Sequence, residues 1–162
     1  MSSNISDIYQ RLKSNGYSNE YILDSLVESE GVLLHGSRVD ISDNYIRPNN
    51  KGEVFATDLA SIAILKAIVS NRGLIHPGLQ YDWIINEENP LVLKIHGIRE
   101  FTIGSVGFVY IIPDRNGFRN EPEGSWQYIK KGSRAHFSFK IEVSRDDFTY
   151  PIYDVTNRRK IQ

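Results

Sequence analysis

The fold is decided by the stretch VLLHGSR at residues 32–38, which follows Gly31. A short apolar run bounded by glycines predicts a buried strand that ends at His35, Gly36 and Ser37. A titratable ring followed by glycine places a donor and acceptor beside backbone that a flat ligand can approach closely. For this segment alone, a core histidine before a turn is the simpler interpretation.

A second strand and a helix follow at a distance. The polar, turn-rich segment 38–52 is predicted to be a long loop, and EVFAT at 53–57 a second short strand. Thr57 or Asp58 can cap a helix over 59–69. Because this helix is apolar on nearly all faces, we expect it to be buried.

The rest of the chain divides into helical and extended patterns. Two short helices are predicted before residue 31, the first ending at Asn15-Gly16 and the second capped by Ser18. The second half predicts strands at 81–85, 91–95, 100–103, 107–112, 126–129 and 135–143. The expected class is therefore α+β with an antiparallel sheet, ending in a basic tail over 157–162.

Composition narrows the possible functions. The 162 residues include 19 Lys and Arg against 20 Asp and Glu, for a net charge of −1, so there is no strong nucleic-acid signal. With no cysteine, the chain has no disulfide, thiolate zinc site, iron–sulfur cluster or cysteine nucleophile. His76, His96 and His136 lack metal-ligand spacing, so no metal site is predicted.

The N-terminus and the longest apolar run bear on the expected location of the protein. The polar N-terminus has no basic region followed by an apolar region, and the longest apolar run, 62–69, is interrupted by Lys66. A bilayer span needs about 20 apolar residues. We expect a cytoplasmic protein with no membrane partner.

In order and spacing, these segments resemble the ADP-ribosyltransferase superfamily, on the branch that contains the poly(ADP-ribose) polymerases and diphtheria toxin. In that branch a first strand ends in a His-Gly-Ser-Arg-like segment, a second carries a Tyr-Phe-Ala-Asp-like segment leading into a helix, and a later strand supplies a Glu. The match is good at 35–38, partial at 54–58 and poor for the third motif. The resemblance implies an ADP-ribosyltransferase-like split antiparallel β-sheet core over 31–156, preceded by an N-terminal helical segment over 1–30.

The resemblance also implies roles in binding NAD, which would be the substrate. His35 would hydrogen-bond a ribose, and the backbone of Gly36 would pair with the nicotinamide carboxamide. Ser37 matches the small hydroxyl that follows, and Arg38 could reach the diphosphate or the adenine-side ribose. Phe55 falls where the family has Tyr, so its ring would wall the nicotinamide pocket without a hydroxyl.

The chain departs from the family at its remaining positions. The family's carboxamide-binding Ser falls at Ala63, and its second stacking aromatic falls at Lys66. The candidates for the catalytic Glu are Glu123, which lies with Glu121 in a loop, and the neutral Gln127 on the following strand. A carboxylate is needed there because it orients the ribose hydroxyl and stabilises the oxocarbenium-like transition state.

Three functions are compatible with these features. The intact His-Gly-Ser-Arg segment favours an ADP-ribosyltransferase that releases nicotinamide and modifies an unknown acceptor. The missing third motif favours a catalytically silent module that binds NAD or ADP-ribose. An RNA 2′-phosphotransferase-like enzyme shares the fold and the use of NAD, but more basic side chains would be expected of it.

Overall fold

A computed structural model describes residues 4–68 and 106–150 with their side chains, and the backbone of four further strands at 80–84, 92–96, 152–154 and 159–161. The chain is α+β, as the sequence predicts. It forms two compact units, residues 1–68 with 105–148 and residues 69–104 with 149–162. The two N-terminal helices belong to the first unit.

Both N-terminal helices form where the sequence predicts them. Helix α1 spans Ile5–Ser14 and helix α2 spans Asn19–Glu30. The Ser18 side chain accepts a hydrogen bond from the backbone of the first turn of α2, as expected of its N-cap. Gly31 ends α2 in the left-handed conformation, with φ of 69°, which glycine adopts without strain.

Strands build a separate sheet in each unit. The strands are β1 (Leu33–Ser37), β2 (Tyr45–Ile46), β3 (Glu53–Thr57), β4 (Gln80–Ile84), β5 (Val92–His96), β6 (Val106–Ile112), β7 (Phe118–Asn120), β8 (Gln127–Lys131), β9 (Ala135–His136), β10 (Phe139–Ser144), β11 (Ile152–Asp154) and β12 (Arg159–Ile161). The first unit contains an antiparallel sheet of order β10-β6-β1-β3-β8-β7 and a two-stranded pair, β2-β9. The second unit contains the sheet β12-β11-β5-β4, in which β11 and β5 are parallel.

The six-stranded sheet is weakly joined at its centre. Strands β1 and β6 share five register pairs, and so do β3 and β8. By contrast, β1 and β3 share one pair, Leu34 with Thr57. The sheet therefore consists of two three-stranded halves that separate beyond this pair.

Helix α3, Ala60–Ile68, covers one face of this sheet. Seven of its nine residues are buried, in agreement with the predicted burial. Thr57 Oγ1 accepts a hydrogen bond from the backbone N–H of Leu59, at 3.1 Å. Asp24 of α2 accepts one from the N–H of Ala60, at 2.9 Å, so part of the cap comes from another helix.

Two glycines allow α3 to lie directly on the sheet. A Cβ on Gly36 would sit 1.9 Å from the carbonyl oxygen of Ala63, and one on Gly107 would sit 1.8 Å from that of Ala67. Any side chain at either position would therefore displace the helix. Because side chains alternate along a strand, His35, next to Gly36, faces the opposite side of the sheet.

The opposite face carries its own core. The hydroxyl of Tyr110 donates to the carbonyl of Val39 and accepts from the N–H of Ile41, at 2.8 Å, so the loop after β1 is fastened over this face. The buried members of this core are Leu33, Ile46, Val54, Ala56, Tyr110, Ile112, Ala135 and Phe137.

Several predicted elements differ from the observed ones. The strand predicted over 135–143 is two strands, since β9 pairs with β2 and β10 pairs with β6. Residues 159–161, expected to be part of a frayed tail, pair with β11 as a strand. Strands β2 and β7 were not predicted, and the strand predicted at 100–103 lies outside the described residues. In the ranges 4–68 and 106–150, no helix is long and apolar enough to cross a membrane.

Candidate functional site

His35 is the middle residue of β1 and directly follows Leu34, whose pair with Thr57 is the one that joins the two halves of the sheet. Its Nδ1 is 2.6 Å from the backbone carbonyl oxygen of Phe55 in β3. Because a carbonyl oxygen only accepts, the hydrogen bond assigns the proton to Nδ1 and leaves Nε2 as an acceptor in the neutral ring. The imidazole thus connects β1 to β3 beyond their single register pair.

The surroundings of His35 keep this ring neutral. Burial lowers the pKa of the imidazole, the hydrogen bond to Phe55 opposes that effect, and the positive charge of Lys66 adds to it. At neutral pH we therefore expect Nε2 to present a lone pair. Among the described residues, none hydrogen-bonds Nε2.

A groove of about 580 Å³ opens on the His35 side of the sheet. Its walls are His35 and Ser37 of β1, the loop residues 39–43, and residues 45–47, which include β2. Ligand pockets typically measure about 300–1,000 Å³, so this groove has room for a nucleotide-sized molecule. Arg47 is ion-paired with Asp43 on the groove wall, a pairing that the sequence did not indicate because this segment shows only turn signals.

A much smaller cavity lies at the separation of β1 and β3. It measures about 30 Å³ and is lined by His35, Gly36, Phe55, Thr57 and Lys66, among others. A volume of this size holds about one water molecule. A nicotinamide ring could enter only if the strands moved apart or Lys66 moved.

Lys66 stands over this cavity. Its Nζ lies over the Phe55 ring, 5.8 Å from the centroid, and over the Trp126 ring, 5.5 Å from the centroid. In the described part of the chain it has no hydrogen-bonding or carboxylate partner. Although the residue has accessible surface, desolvation by the surrounding protein atoms lowers the pKa of its ammonium group. In the sequence, the signal for this position is a lone lysine within an apolar helix.

The other residues of the first motif have separate structural roles. Gly36 is required by the packing of α3. Ser37 lines the groove, and its Oγ accepts a hydrogen bond from the N–H of Val39, at 3.1 Å. Arg38 is exposed and points its Nη1 at the carbonyl oxygen of Ile68, 3.4 Å away, at the C-terminal end of α3. Arg38 does not line the described groove.

Phe55 is half-buried in β3. It lines the small cavity and also a second, open pocket of about 370 Å³ formed with Asn49, Asn50, Lys51 and Glu53. Its ring is therefore at the cleft, where the resemblance expects an aromatic wall.

The two candidates for the catalytic acid lie apart from the groove. Glu123 is exposed in its loop and has no ion pair among the described residues. Gln127 donates from Nε2 to the carbonyl oxygen of Glu121, at 2.7 Å, so its amide holds the loop in place. Neither side chain lines the groove or the small cavity described above.

Comparison with known proteins adds no relative. No protein-family model, curated protein or solved structure matches the chain. Within the described residues, no group of three or more His, Asp or Glu side chains is arranged to hold a metal ion.

Proposed function

We propose that this protein binds NAD or ADP-ribose in the groove beside β1 and transfers ADP-ribose inefficiently or not at all. The observation that carries the proposal is the position of His35, whose Nδ1 is engaged by Phe55 while Nε2 remains an acceptor beside a 580 Å³ groove. A neutral Nε2 can accept a hydrogen bond from a ribose hydroxyl. The separated sheet halves also agree with the split sheet that the resemblance implies.

The charges around the cleft support binding over transfer. Cleavage of the nicotinamide–ribose bond develops positive charge on the ribose, which a carboxylate stabilises. Among the residues that line the small cavity, the charged group is the ammonium of Lys66, which would destabilise positive charge on the ribose. Gln127 is neutral and already hydrogen-bonded to Glu121. The two carboxylates that line the groove, Asp40 and Asp43, are ion-paired with Lys140 and Arg47. The described site therefore has a ribose acceptor without an unpaired carboxylate beside it.

The binding proposal can be tested with His35→Asn. An Asn amide can still donate to the Phe55 carbonyl, but it has no counterpart of Nε2. We expect at least a tenfold loss of ADP-ribose affinity by calorimetry, with near-native circular dichroism. Arg119→Asn, at an exposed residue of β7 that lines neither the groove nor the small cavity, is the control and should bind normally. Unchanged affinity in His35→Asn would refute the role given to Nε2.

The second candidate is an active ADP-ribosyltransferase that uses Glu123. It is favoured by the exposed, unpaired carboxylate of this residue in a loop beside β8. Incubation with adenine-labelled NAD would show nicotinamide release and label transfer to protein, DNA or RNA. Under this function, Glu123→Gln lowers turnover by orders of magnitude with little change in NAD affinity, whereas the exposed Glu142→Gln has no effect. Absence of nicotinamide release from the wild-type protein would reject it.

A further inference from the structure

Lys66 supplies a cation to an aromatic pair at the cleft. Its Nζ is within 6 Å of the ring centroids of Phe55 and Trp126, and no carboxylate in the described part of the chain neutralises it. Aromatic faces attract cations through the ring quadrupole. The protein therefore fills, with its own side chain, a site that suits a flat or compact cationic group.

The nicotinamide ring of NAD⁺ is such a cationic group. To reach the aromatic pair, it would compete with the Lys66 ammonium for the same ring faces. The two positive charges would also repel each other. At a separation of about 5–6 Å and an effective dielectric constant of about 20, this repulsion weakens the binding of NAD⁺ by about 100-fold. ADP-ribose has no nicotinamide, and the dihydronicotinamide of NADH is uncharged, so neither meets this repulsion.

We propose that Lys66 determines specificity by charge, weakening the binding of NAD⁺ relative to that of ADP-ribose and NADH. This inference rests on the proposed binding of adenine dinucleotides at the groove. Lys66 contributes by occupying the aromatic pair and by repelling a second cation, and it has no part in bond cleavage. Although the side chain is exposed, the protein atoms around it partly desolvate the ammonium and lower its pKa.

The test compares three ligands on the full chain. Calorimetry with ADP-ribose, NADH and NAD⁺ should show NAD⁺ binding at least tenfold more weakly than the other two. In Lys66→Met, a variant of similar length without charge, NAD⁺ affinity should rise at least tenfold while ADP-ribose affinity changes less than threefold. Lys130→Met is the matched control, since Lys130 lies over the ring of Phe118, 6.0 Å from its centroid, and does not line the small cavity.

Each outcome decides the inference. Equal affinity of the wild-type protein for NAD⁺ and ADP-ribose overturns it, and so does an unchanged ligand ratio in Lys66→Met. If Lys66→Met does not fold, Lys66→Gln must lower the ratio of ADP-ribose affinity to NAD⁺ affinity, and Lys66→Arg must preserve that ratio. Binding of ADP-ribose without discrimination overturns the charge selection alone, whereas no binding of any of the three ligands overturns the proposed function as well.

Discussion

Replacement of Gly36 by alanine separates the structural role of this glycine from a ligand-binding role. The added methyl group would sit 1.9 Å from the carbonyl oxygen of Ala63 and 2.9 Å from the backbone nitrogen of Ala67. Both atoms belong to the backbone of α3, so no side-chain rotation relieves the contact. The helix or β1 must shift by more than 1 Å to restore ordinary van der Waals separation, which begins near 3.4 Å.

The expected cost follows from this geometry. Overpacking of a well-packed core costs about 1–3 kcal/mol, and a backbone clash belongs at or above the upper end. The substitution also removes conformational freedom from the unfolded chain, which offsets about 0.4–1 kcal/mol. We therefore expect Gly36→Ala to lower the free energy of unfolding by about 2–3 kcal/mol. For a protein of this size, that corresponds to a drop in Tm of about 4–12 °C.

Urea and thermal unfolding, followed by circular dichroism, measure this effect in the absence of ligand. Gly124→Ala is the control, because Gly124 has φ of 82° but open space around its Cβ position. It should cost only the strain of a left-handed alanine, about 1–2 kcal/mol. If Gly36→Ala is as stable as the wild-type protein, the close packing of α3 on β1 is refuted as the reason for this glycine.

Three further outcomes are expected. Burial lowers the pKa of His35 below its unfolded value near 6.5. The stability that the neutral ring contributes is therefore present above that pH and is lost as pH falls below it. Urea midpoints should decline from pH 7 to pH 5 more steeply in the wild-type protein than in His35→Asn. Tyr110→Phe leaves the Val39 carbonyl and the Ile41 N–H without their hydrogen-bond partner, so it should lower the free energy of unfolding by about 1–3 kcal/mol and speed amide hydrogen exchange in the loop after β1. Unchanged exchange would contradict the anchoring role of Tyr110. Asp24→Ala removes the cap that α2 provides to α3 and should cost about 1 kcal/mol by urea unfolding, whereas no change would make that hydrogen bond dispensable.

The elements predicted well from the sequence are those specified by neighbouring residues. The N-terminal helices, β1, β3 and α3 each carry their own periodicity and boundary signals, such as Ser18 before α2 and Thr57 before α3. His35 and Phe55 were also identified from local motifs, and the structure brings them within hydrogen-bonding distance. They meet because β1 and β3 are neighbouring antiparallel strands whose register brings these two residues close.

Several of the features that escaped prediction depend on distant partners. Strand β2 has two residues and exists through its pairing with β9, about 90 positions later. The Asp24 cap on α3 and the position of Lys66 over Trp126 likewise join residues far apart in the sequence. Periodicity cannot reveal such contacts, because it reports which face of an element is buried and not what covers that face.

The small cavity between β1 and β3 and the position of Lys66 each favour ADP-ribose over NAD⁺, for independent reasons. A nicotinamide ring needs the 30 Å³ cavity between β1 and β3 to open, which breaks packing around their single register pair or the hydrogen bond from His35 to Phe55. It also needs the ammonium of Lys66 to leave the two aromatic rings. ADP-ribose requires neither change, since its ribose and diphosphate can lie in the groove that is already open. Removal of the Lys66 charge eliminates only the electrostatic barrier, so NAD⁺ should still bind Lys66→Met no more tightly than ADP-ribose does.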